Sequence, residues 1–146
     1  MKKPVLLVAE DNELDALLLE RLIERCGGAF TMTRVEHGDA AIDYLQGTGV
    51  FQDRTRHPLP AVLLLDLKMP RKDGFAVLRW RQENRAFARL PIVVFSSSNL
   101  ADDIARAYAL GANSYVIKPS DPERLERMVQ QLHAWWIEFN VPATLA

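Results

Sequence analysis

Four consecutive apolar residues, Val62 to Leu65, end abruptly at the carboxylate of Asp66 and are followed by a turn. A short apolar run bounded by turn signals predicts a strand buried on both faces, as in the centre of a parallel sheet. Open parallel sheets bind ligands beyond the carboxyl ends of their strands, so we expect a site at Asp66 and the loop 67–74. The alternative is an aspartate that only caps the next helix, because Asp is a common cap and turn residue.

Apolar runs and amphipathic stretches alternate along the whole chain. Besides the strand at 62–65, strands are predicted at 5–9, 30–35, 92–95 and 115–117. Helical spacing of apolar residues, with Gly and Pro at the boundaries, predicts helices over 13–26, 39–45, 75–84, 102–110 and 122–139. Five strands alternating with five helices predict an α/β fold, a doubly wound five-stranded parallel sheet with right-handed crossovers.

Composition indicates what kind of protein this is. The 146 residues are 49% hydrophobic and 25% charged, as in one globular domain spanning 1–146. A net charge of -1 gives no basic surface for nucleic acid, and no long apolar run indicates a membrane segment or secretory leader. We therefore expect a cytoplasmic protein with no nucleic-acid or membrane partner. A lone Cys26 is expected to be a packed side chain, and residues 46–60 are expected to be a long loop insertion.

Polar side chains follow four of the predicted strands. Because the carboxyl ends of parallel strands meet at one edge, we expect the residues Glu10, Asp11, Asp66, Ser96 and Lys118 to share a pocket. Clustered carboxylates raise one another's pKa unless a cation lies among them, and Mg²⁺ is the hard oxygen-binding ion that suits them. Protein-bound Mg²⁺ is commonly completed by phosphate oxygens, so Asp66 is predicted to be a nucleophile toward a phosphoryl group. Ser96 Oγ and Lys118 Nζ are suited to hold the remaining phosphoryl oxygens.

These residues and their spacing resemble the receiver domain of two-component response regulators over nearly the whole chain. In that family an acidic pair, a phosphoacceptor Asp, a Ser or Thr and a Lys-Pro pair follow strands one, three, four and five. Here they correspond to Glu10-Asp11, Asp66, Ser96 and Lys118-Pro119, and the loop motif D-x-x-M-P-x-x-x-G is present at 66–74. The resemblance implies the flavodoxin-like strand order 2-1-3-4-5. It also implies a phosphoacceptor switch rather than a turnover enzyme, with a histidine kinase as phosphoryl donor.

The resemblance further implies a set of metal ligands and two residues that set the rate of dephosphorylation. The metal ligands would be Glu10, Asp11, Asp66 and the backbone carbonyl of Lys68. Glu10 replaces the commoner Asp, which lengthens the arm of a residue expected to reach the metal through water. Lys68 and Ser98 flank the path by which water reaches phosphorus in this family. A long lysine that shields the path and a serine too short to position water predict slow autodephosphorylation.

Two switch residues and one unusual peptide bond are also implied by the resemblance. Ser96 is expected to move toward the phosphoryl group, and the ring of Tyr115 to swing into the space that it leaves. The alternative for Tyr115 is a half-buried aromatic on an edge strand. The Lys118–Pro119 peptide is expected to be cis, to aim the lysine, although X-Pro bonds are usually trans.

The 46–60 insertion and the aromatic C-terminal end resemble stand-alone regulators that serve phytochrome-type histidine kinases. A helix over 122–139 would be about 27 Å long, so its last turns are expected to pass the sheet edge. Large apolar residues would then be exposed at Trp135, Trp136, Ile137 and Phe139, with Trp136 and Phe139 lacking an intramolecular partner. We expect a homodimer through this helix, with the tail 140–146 reaching the partner. The alternative is a tail folded back on its own domain.

The alternatives are two other families and a degenerate form of the same family. A flavodoxin-like FMN protein would share the fold, but the acids at 10–13 would repel a phosphate that arrived without a metal. A phosphatase of the haloacid dehalogenase type needs a second acid two residues after the nucleophile, where Lys68 stands. A degenerate receiver used only for binding would lack part of the acidic and lysine set, and all of that set is present.

Overall fold

Five short strands form the centre of the molecule: β1 (Val5–Ala9), β2 (Thr31–Val35), β3 (Val62–Leu65), β4 (Ile92–Ser96) and β5 (Ser114–Ile117). The structure is a computed structural model that describes residues 3–28, 30–143 and 145. All neighbouring strands pair in parallel in the order β2-β1-β3-β4-β5, which confirms the predicted fold and strand order. Strands β1, β3 and β4 are buried along their whole length, as continuous apolar runs predict.

Five α-helices cover the two faces of the sheet: α1 (Glu13–Glu24), α2 (Gly38–Gln46), α3 (Gly74–Glu83), α4 (Ala101–Ala109) and α5 (Pro122–Leu132). Successive strand residues face opposite layers because side chains alternate along a strand. Leu63 and Leu65 therefore pack with α2, α3 and α4, whereas Val62 and Leu64 pack with α1 and α5. Each face of the sheet thus has its own apolar core.

The predicted element boundaries are shifted by one or two residues at most ends. β2 begins at Thr31 rather than Phe30, although the Phe30 side chain is buried in the α1/α5 core. α1 ends at Glu24, before Cys26, whose thiol is half-buried and lies 3.6 Å from the Leu22 carbonyl. Helix ends commonly fray by this amount, because the terminal backbone groups lack helical partners.

The 46–60 insertion is an ordered loop that contains a short 3₁₀ turn at Gly49–Phe51. The Arg54 guanidinium donates hydrogen bonds to the carbonyls of Tyr44 and Leu45, at 2.7 and 2.5 Å, and so satisfies acceptors at the end of α2. The buried Tyr44 hydroxyl donates to the Pro58 carbonyl at 2.8 Å, and its ring packs on Phe51. Arg54 and Tyr44 therefore hold in place a segment whose sequence shows neither helical nor strand periodicity.

The last helix continues beyond α5 as a π-helix, His133–Phe139. Trp136 and Ile137 pack against the α1/α5 core, so the expectation that Trp136 lacks an intramolecular partner is wrong. The physical reason is that a π-helix is wider than an α-helix and changes the angular spacing of side chains. Trp135 and Phe139 are exposed, at 60% and 71%.

The described residues of the tail fold back against the amino-terminal ends of β1 and β3. Pro142, Ala143 and Leu145 line a groove with the segments 3–5 and 58–61, and Leu145 packs against the core on the face covered by α2, α3 and α4. This is the alternative arrangement considered for the tail rather than the one in which it leaves its own domain. Thr144 and Ala146 lie outside the described residues. Within the part of the chain that is described, every helix is too short or too polar to cross a bilayer.

Candidate functional site

The carboxyl ends of β1 and β3 bring three acidic residues together. Ala9 pairs with Leu65 in the sheet, so the residues that follow them, Glu10 and Asp66, lie side by side. Oxygen atoms of Glu10, Asp11 and Asp66 lie within 4.8 Å of one another. Glu10 and Asp66 are 1% and 6% exposed, whereas Asp11 is exposed to solvent. The structure therefore brings together the three carboxylates that the sequence predicted to share a site.

Lys118 provides the positive charge beside these acids. Its backbone N–H donates to the Ser96 carbonyl at 2.8 Å, which holds the end of β5 against the end of β4. Its ammonium nitrogen lies 2.5 Å from Glu10 Oε1 and 3.2 Å from Asp66 Oδ2. The predicted contact between Lys118 and the acidic site is thus present in the structure.

The two buried charges change each other's ionisation. Burial raises the pKa of the Glu10 carboxyl group to about 7, with the Asp66 carboxylate acting in the same direction and the Lys118 ammonium acting against both. Burial alone would lower the pKa of Lys118, but its ion pairs with Glu10, Asp66 and Asp15 raise it above its ordinary value. Lys118 therefore remains charged, and the Glu10 carboxyl group changes its protonation near neutral pH.

The donor set fits a hard divalent cation. Oxygen ligands from Glu10, Asp11 and Asp66 are of the kind that such a cation prefers. The Oε1 atom of Glu10 is buried and accepts no regular hydrogen bond in the described part of the chain, although it faces the Lys118 ammonium. A bound cation would compensate this buried oxygen and remove the repulsion between Glu10 and Asp66.

The loop after β3 needs a glycine at its end. A Cβ atom on Gly74 would lie 2.3 Å from the Asp66 carbonyl oxygen, which leaves no room for a side chain. Gly74 N–H also donates to the Leu67 carbonyl at 3.0 Å, and Asp73 caps α3 by accepting a hydrogen bond from Ala76 N–H at 2.9 Å. The glycine of the loop motif is therefore explained by the close packing of the loop against Asp66.

The residues expected to flank and couple to the site occupy the ends of β3, β4 and β5. The Lys68 side chain is exposed, and its backbone N–H donates to Asp66 Oδ1 at 3.3 Å. Ser96 is fully buried and its Oγ accepts a hydrogen bond from Ser98 N–H at 3.2 Å. Tyr115 is half-buried, and its hydroxyl donates to the Ser98 carbonyl at 2.8 Å. Tyr115 is thus tied to the loop that follows Ser96.

The expectation of a cis peptide at Lys118–Pro119 is wrong. None of the described peptide bonds is cis. The trans form of an X-Pro bond is favoured by about 0.5–1 kcal/mol, and the lysine reaches Glu10 and Asp66 from a trans peptide. The position of the ammonium group therefore does not require the cis form.

Two residues of the site were missed by the sequence analysis. Asp15, in the first turn of α1, lies 3.1 Å from the Lys118 ammonium. Arg34, at the end of β2, donates to the carbonyls of Glu10 and Asp11 at 2.9 and 3.1 Å and so holds the acidic loop. An acid in the first turn of a helix is a common stabilising residue, so the sequence offers no signal that distinguishes Asp15.

A further contact between the 66–74 loop and α2 was also missed. Arg71 has a left-handed backbone, with φ of 63°, and its guanidinium lies 3.0 Å from Asp39. The Gly38 N–H donates to the Lys72 carbonyl at 2.9 Å, and a Cβ on Gly38 would meet that oxygen at 2.2 Å. These contacts anchor the loop to the start of α2.

Comparison with known proteins agrees with this geometry. The family described as response regulator receiver domain matches residues 6–130. The probable methanogenesis regulatory protein FilR2 of Methanothrix harundinacea is 35% identical over 93% of this chain and 85% of its own. The crystal structure of response regulator RPA3017, in red light signaling of R. palustris, superposes with a TM-score of 0.90 at 33% identity, covering 97% and 99% of the two chains. The phosphorylated cyanobacterial phytochrome response regulator RcpA superposes with a TM-score of 0.89 at 27% identity, with the same coverage.

Proposed function

The chain belongs to the family of response regulator receiver domains, and from this premise we propose that Asp66 is the residue that accepts the phosphoryl group. The observation that carries the proposal is the place of its carboxylate. Asp66 ends a central buried strand, lies beside Glu10 and Asp11, and pairs with Lys118 at 3.2 Å. This surrounds a buried nucleophile with groups that position it and balance its charge.

In the proposed reaction an Asp66 carboxylate oxygen forms a bond to phosphorus while the bond from phosphorus to the donor's histidine nitrogen breaks. The site residues of this chain hold the reacting groups and stabilise the charge that moves. Lys118 supplies a fixed ammonium for one phosphoryl oxygen, and the Ser96 hydroxyl binds another. Glu10, Asp11, Asp66 and the Lys68 carbonyl would hold Mg²⁺, which supplies further charge neutralisation when bound.

We propose that the donor is a phytochrome-type histidine kinase acting in the cytoplasm. The likeness to the phytochrome response regulator RcpA and to the red-light regulator of R. palustris supports this assignment. The output would be a change of surface rather than turnover. Ser96 and Tyr115 are the proposed switch residues, because the Tyr115 hydroxyl and the Ser96 Oγ both bind the backbone of Ser98.

The phosphorylated state is proposed to be long-lived. The exposed Lys68 side chain stands two residues beyond Asp66, where it can cover the approach of water to phosphorus. The Ser98 hydroxyl donates to Asp103 at 2.6 Å and accepts a hydrogen bond from Leu100 N–H at 3.3 Å. Because these contacts occupy the hydroxyl, Ser98 is poorly placed to orient a hydrolytic water.

We further propose that two copies of the chain associate through the end of the last helix. Trp135, Phe139 and Val141 are 60%, 71% and 89% exposed, which concentrates apolar surface on a short segment. Trp136 and Ile137 can contribute to this dimer contact only through the parts of their side chains that do not pack against the core. A symmetric contact between two copies would bury this segment.

The phosphoacceptor assignment is tested by chemical phosphorylation. The purified protein is incubated with acetyl phosphate and Mg²⁺, and the label is located by mass spectrometry as an acid-stable, base-labile group. We expect one phosphoryl group on Asp66. Asp66→Asn should retain its circular dichroism spectrum and lose the label, and a label of unchanged yield on that variant would contradict the assignment.

A further inference from the structure

The Lys118 ammonium group lies against three carboxylates. The ammonium nitrogen lies 2.5 Å from Glu10, 3.1 Å from Asp15 and 3.2 Å from Asp66. The contacts with Asp15 and Asp66 are hydrogen bonds, and the contact with Glu10 is an ion pair. Two of the three partners belong to the cluster that fits a divalent cation, whereas Asp15 does not.

A cation held by the acidic cluster would compete with Lys118 for the same oxygens. Like charges repel, and both positive groups need the Glu10 and Asp66 carboxylates. Asp15 offers the ammonium a partner outside this competition. Its side chain is partly exposed, and its backbone is held in the first turn of α1 by a 3.0 Å hydrogen bond from its N–H to the cap residue Asn12.

We propose that Asp15 is a positioning residue that retains the Lys118 ammonium beside the site when a divalent cation occupies the acidic cluster. The inference rests on the proposed function of Asp66. In the absence of the cation, Asp15 is one of three carboxylate partners of Lys118 and contributes little to the position of the ammonium group. When the cation is bound by Glu10 and Asp66, Asp15 is the partner that keeps the Lys118 ammonium group in place to bind a phosphoryl oxygen. Asp15 therefore favours cation binding and phosphorylation together.

The test is a double-mutant cycle on Mg²⁺ affinity, measured by calorimetry with MgCl₂ on the full chain. Asp15→Asn should weaken Mg²⁺ binding by about three- to fivefold, as expected for a partly exposed charge pair. In a Lys118→Met background the same change should have no effect, because the ammonium that Asp15 holds is gone. Asp15→Glu, which keeps the charge, should restore most of the affinity.

Glu13→Gln is the matched control, since it removes an acid from the same turn of α1 that forms no ion pair in the described part of the chain. Its Mg²⁺ affinity should equal that of the wild type. Equal weakening by Asp15→Asn in both backgrounds, or by Glu13→Gln, would show a through-space charge effect and overturn the proposal. Unchanged affinity of Asp15→Asn would also overturn it.

Acetyl phosphate labelling of the same samples separates this inference from the proposed function. Wild-type protein that takes no label on Asp66 contradicts the proposed function. Wild-type protein that is labelled, with Asp15→Asn labelled at an undiminished rate and binding Mg²⁺ equally well, contradicts only the role of Asp15. If Asp15→Asn does not fold, Asp15→Ala and Asp15→Glu are tested by the same measurements. We then expect Mg²⁺ affinity to fall in Asp15→Ala and to be largely retained in Asp15→Glu.

Discussion

Glu10 is a carboxyl group whose ionisation depends on its surroundings. It is 1% exposed, faces Asp66 and Lys118, and accepts a hydrogen bond from Asn12 N–H at 3.2 Å. Burial raises its pKa to about 7, in contrast to a free glutamate. The arm is one methylene longer than that of the commoner aspartate, and it carries the carboxylate to the lysine at the end of β5.

The raised pKa of Glu10 predicts that Mg²⁺ affinity depends on pH. A protonated Glu10 is neutral and must lose its proton when a cation binds, so affinity should fall as pH drops through about 7. Because the deprotonated fraction of a group with a pKa of about 7 falls about tenfold between pH 8 and pH 6, we expect a loss of affinity approaching tenfold over that range. Calorimetry at each pH measures the effect. Glu10→Gln should bind Mg²⁺ more weakly and lose most of the dependence, and an unchanged slope in that variant would assign the proton to another group.

Lys68 is predicted to set the lifetime of the phosphorylated state. Lys68→Ala opens the approach of water to phosphorus, so the decay rate should rise by about three- to tenfold. Decay is followed by mass spectrometry after removal of acetyl phosphate. Lys72→Ala is the control, because Lys72 belongs to the same loop but pairs with Asp39, 3.5 Å away. A decay rate that Lys68→Ala leaves unchanged contradicts the shielding role.

At the scale of elements, one buried cation joins α3 to the far ends of β4 and β5. Arg81 is 6% exposed and donates to the Leu90 carbonyl at 2.6 Å, to Asn113 Oδ1 at 3.1 Å and to the Gly111 carbonyl. Burial lowers its pKa from the ordinary value. Oxygen atoms of backbone and amide groups, rather than an acid, compensate the charge, and they belong to the loops before β4 and β5.

Loss of this cation should destabilise the fold. Arg81→Met keeps the apolar stem but leaves the Leu90 and Gly111 carbonyls without their donor, and each buried acceptor left unpaired costs about 1–3 kcal/mol. We expect the free energy of unfolding to fall by about 2–4 kcal/mol, measured by urea titration with tryptophan fluorescence. Arg79→Met, an exposed position on the same helix, should change it by less than about 0.5 kcal/mol. Equal stability of the two variants would show that the buried contacts contribute nothing.

At the scale of the whole molecule, the exposed end of the last helix predicts association. Trp135→Glu combined with Phe139→Glu places charge on the exposed segment, so the dissociation constant should rise at least about tenfold. Light scattering at several concentrations measures it. Val50→Glu, which adds one charge of the same sign at a residue that is 81% exposed elsewhere, should leave association unchanged. A wild-type chain that is monomeric throughout, or a double variant that associates as well as the wild type, contradicts the dimer.

Truncation after His133 is a poorer test than these surface changes. It would also remove Trp136 and Ile137, which pack against the α1/α5 core, and so would combine a loss of stability with a loss of association. The surface variants leave that packing in place. Their monomeric state, with unchanged thermal unfolding, would therefore report on the contact between copies alone.

Sequence patterns predicted the parallel sheet and the acidic site, and the resemblance to the receiver family implied the strand order. Apolar runs such as Val62–Leu65 specify buried strands because only a strand covered on both faces needs apolar residues at every position. Parallel strands carry the residues after them to one edge, so Glu10, Asp66 and Lys118 could be grouped before their distances were known. The glycine at the end of the 66–74 loop belongs to a motif that was recognised from sequence, although its steric reason was not.

Contacts between elements that are distant in the chain could be identified only in the folded structure. Asp15 and Lys118 lie 3.1 Å apart, and Arg34 reaches the carbonyls of Glu10 and Asp11, because α1, β2 and β5 converge on one edge of the sheet. The π-helix at 133–139 likewise depends on how Trp136 and Ile137 fit the core, which an assumed spacing of about 100° per residue does not describe. Local periodicity reports on a residue's own element, whereas these contacts arise from the packing of several elements at once.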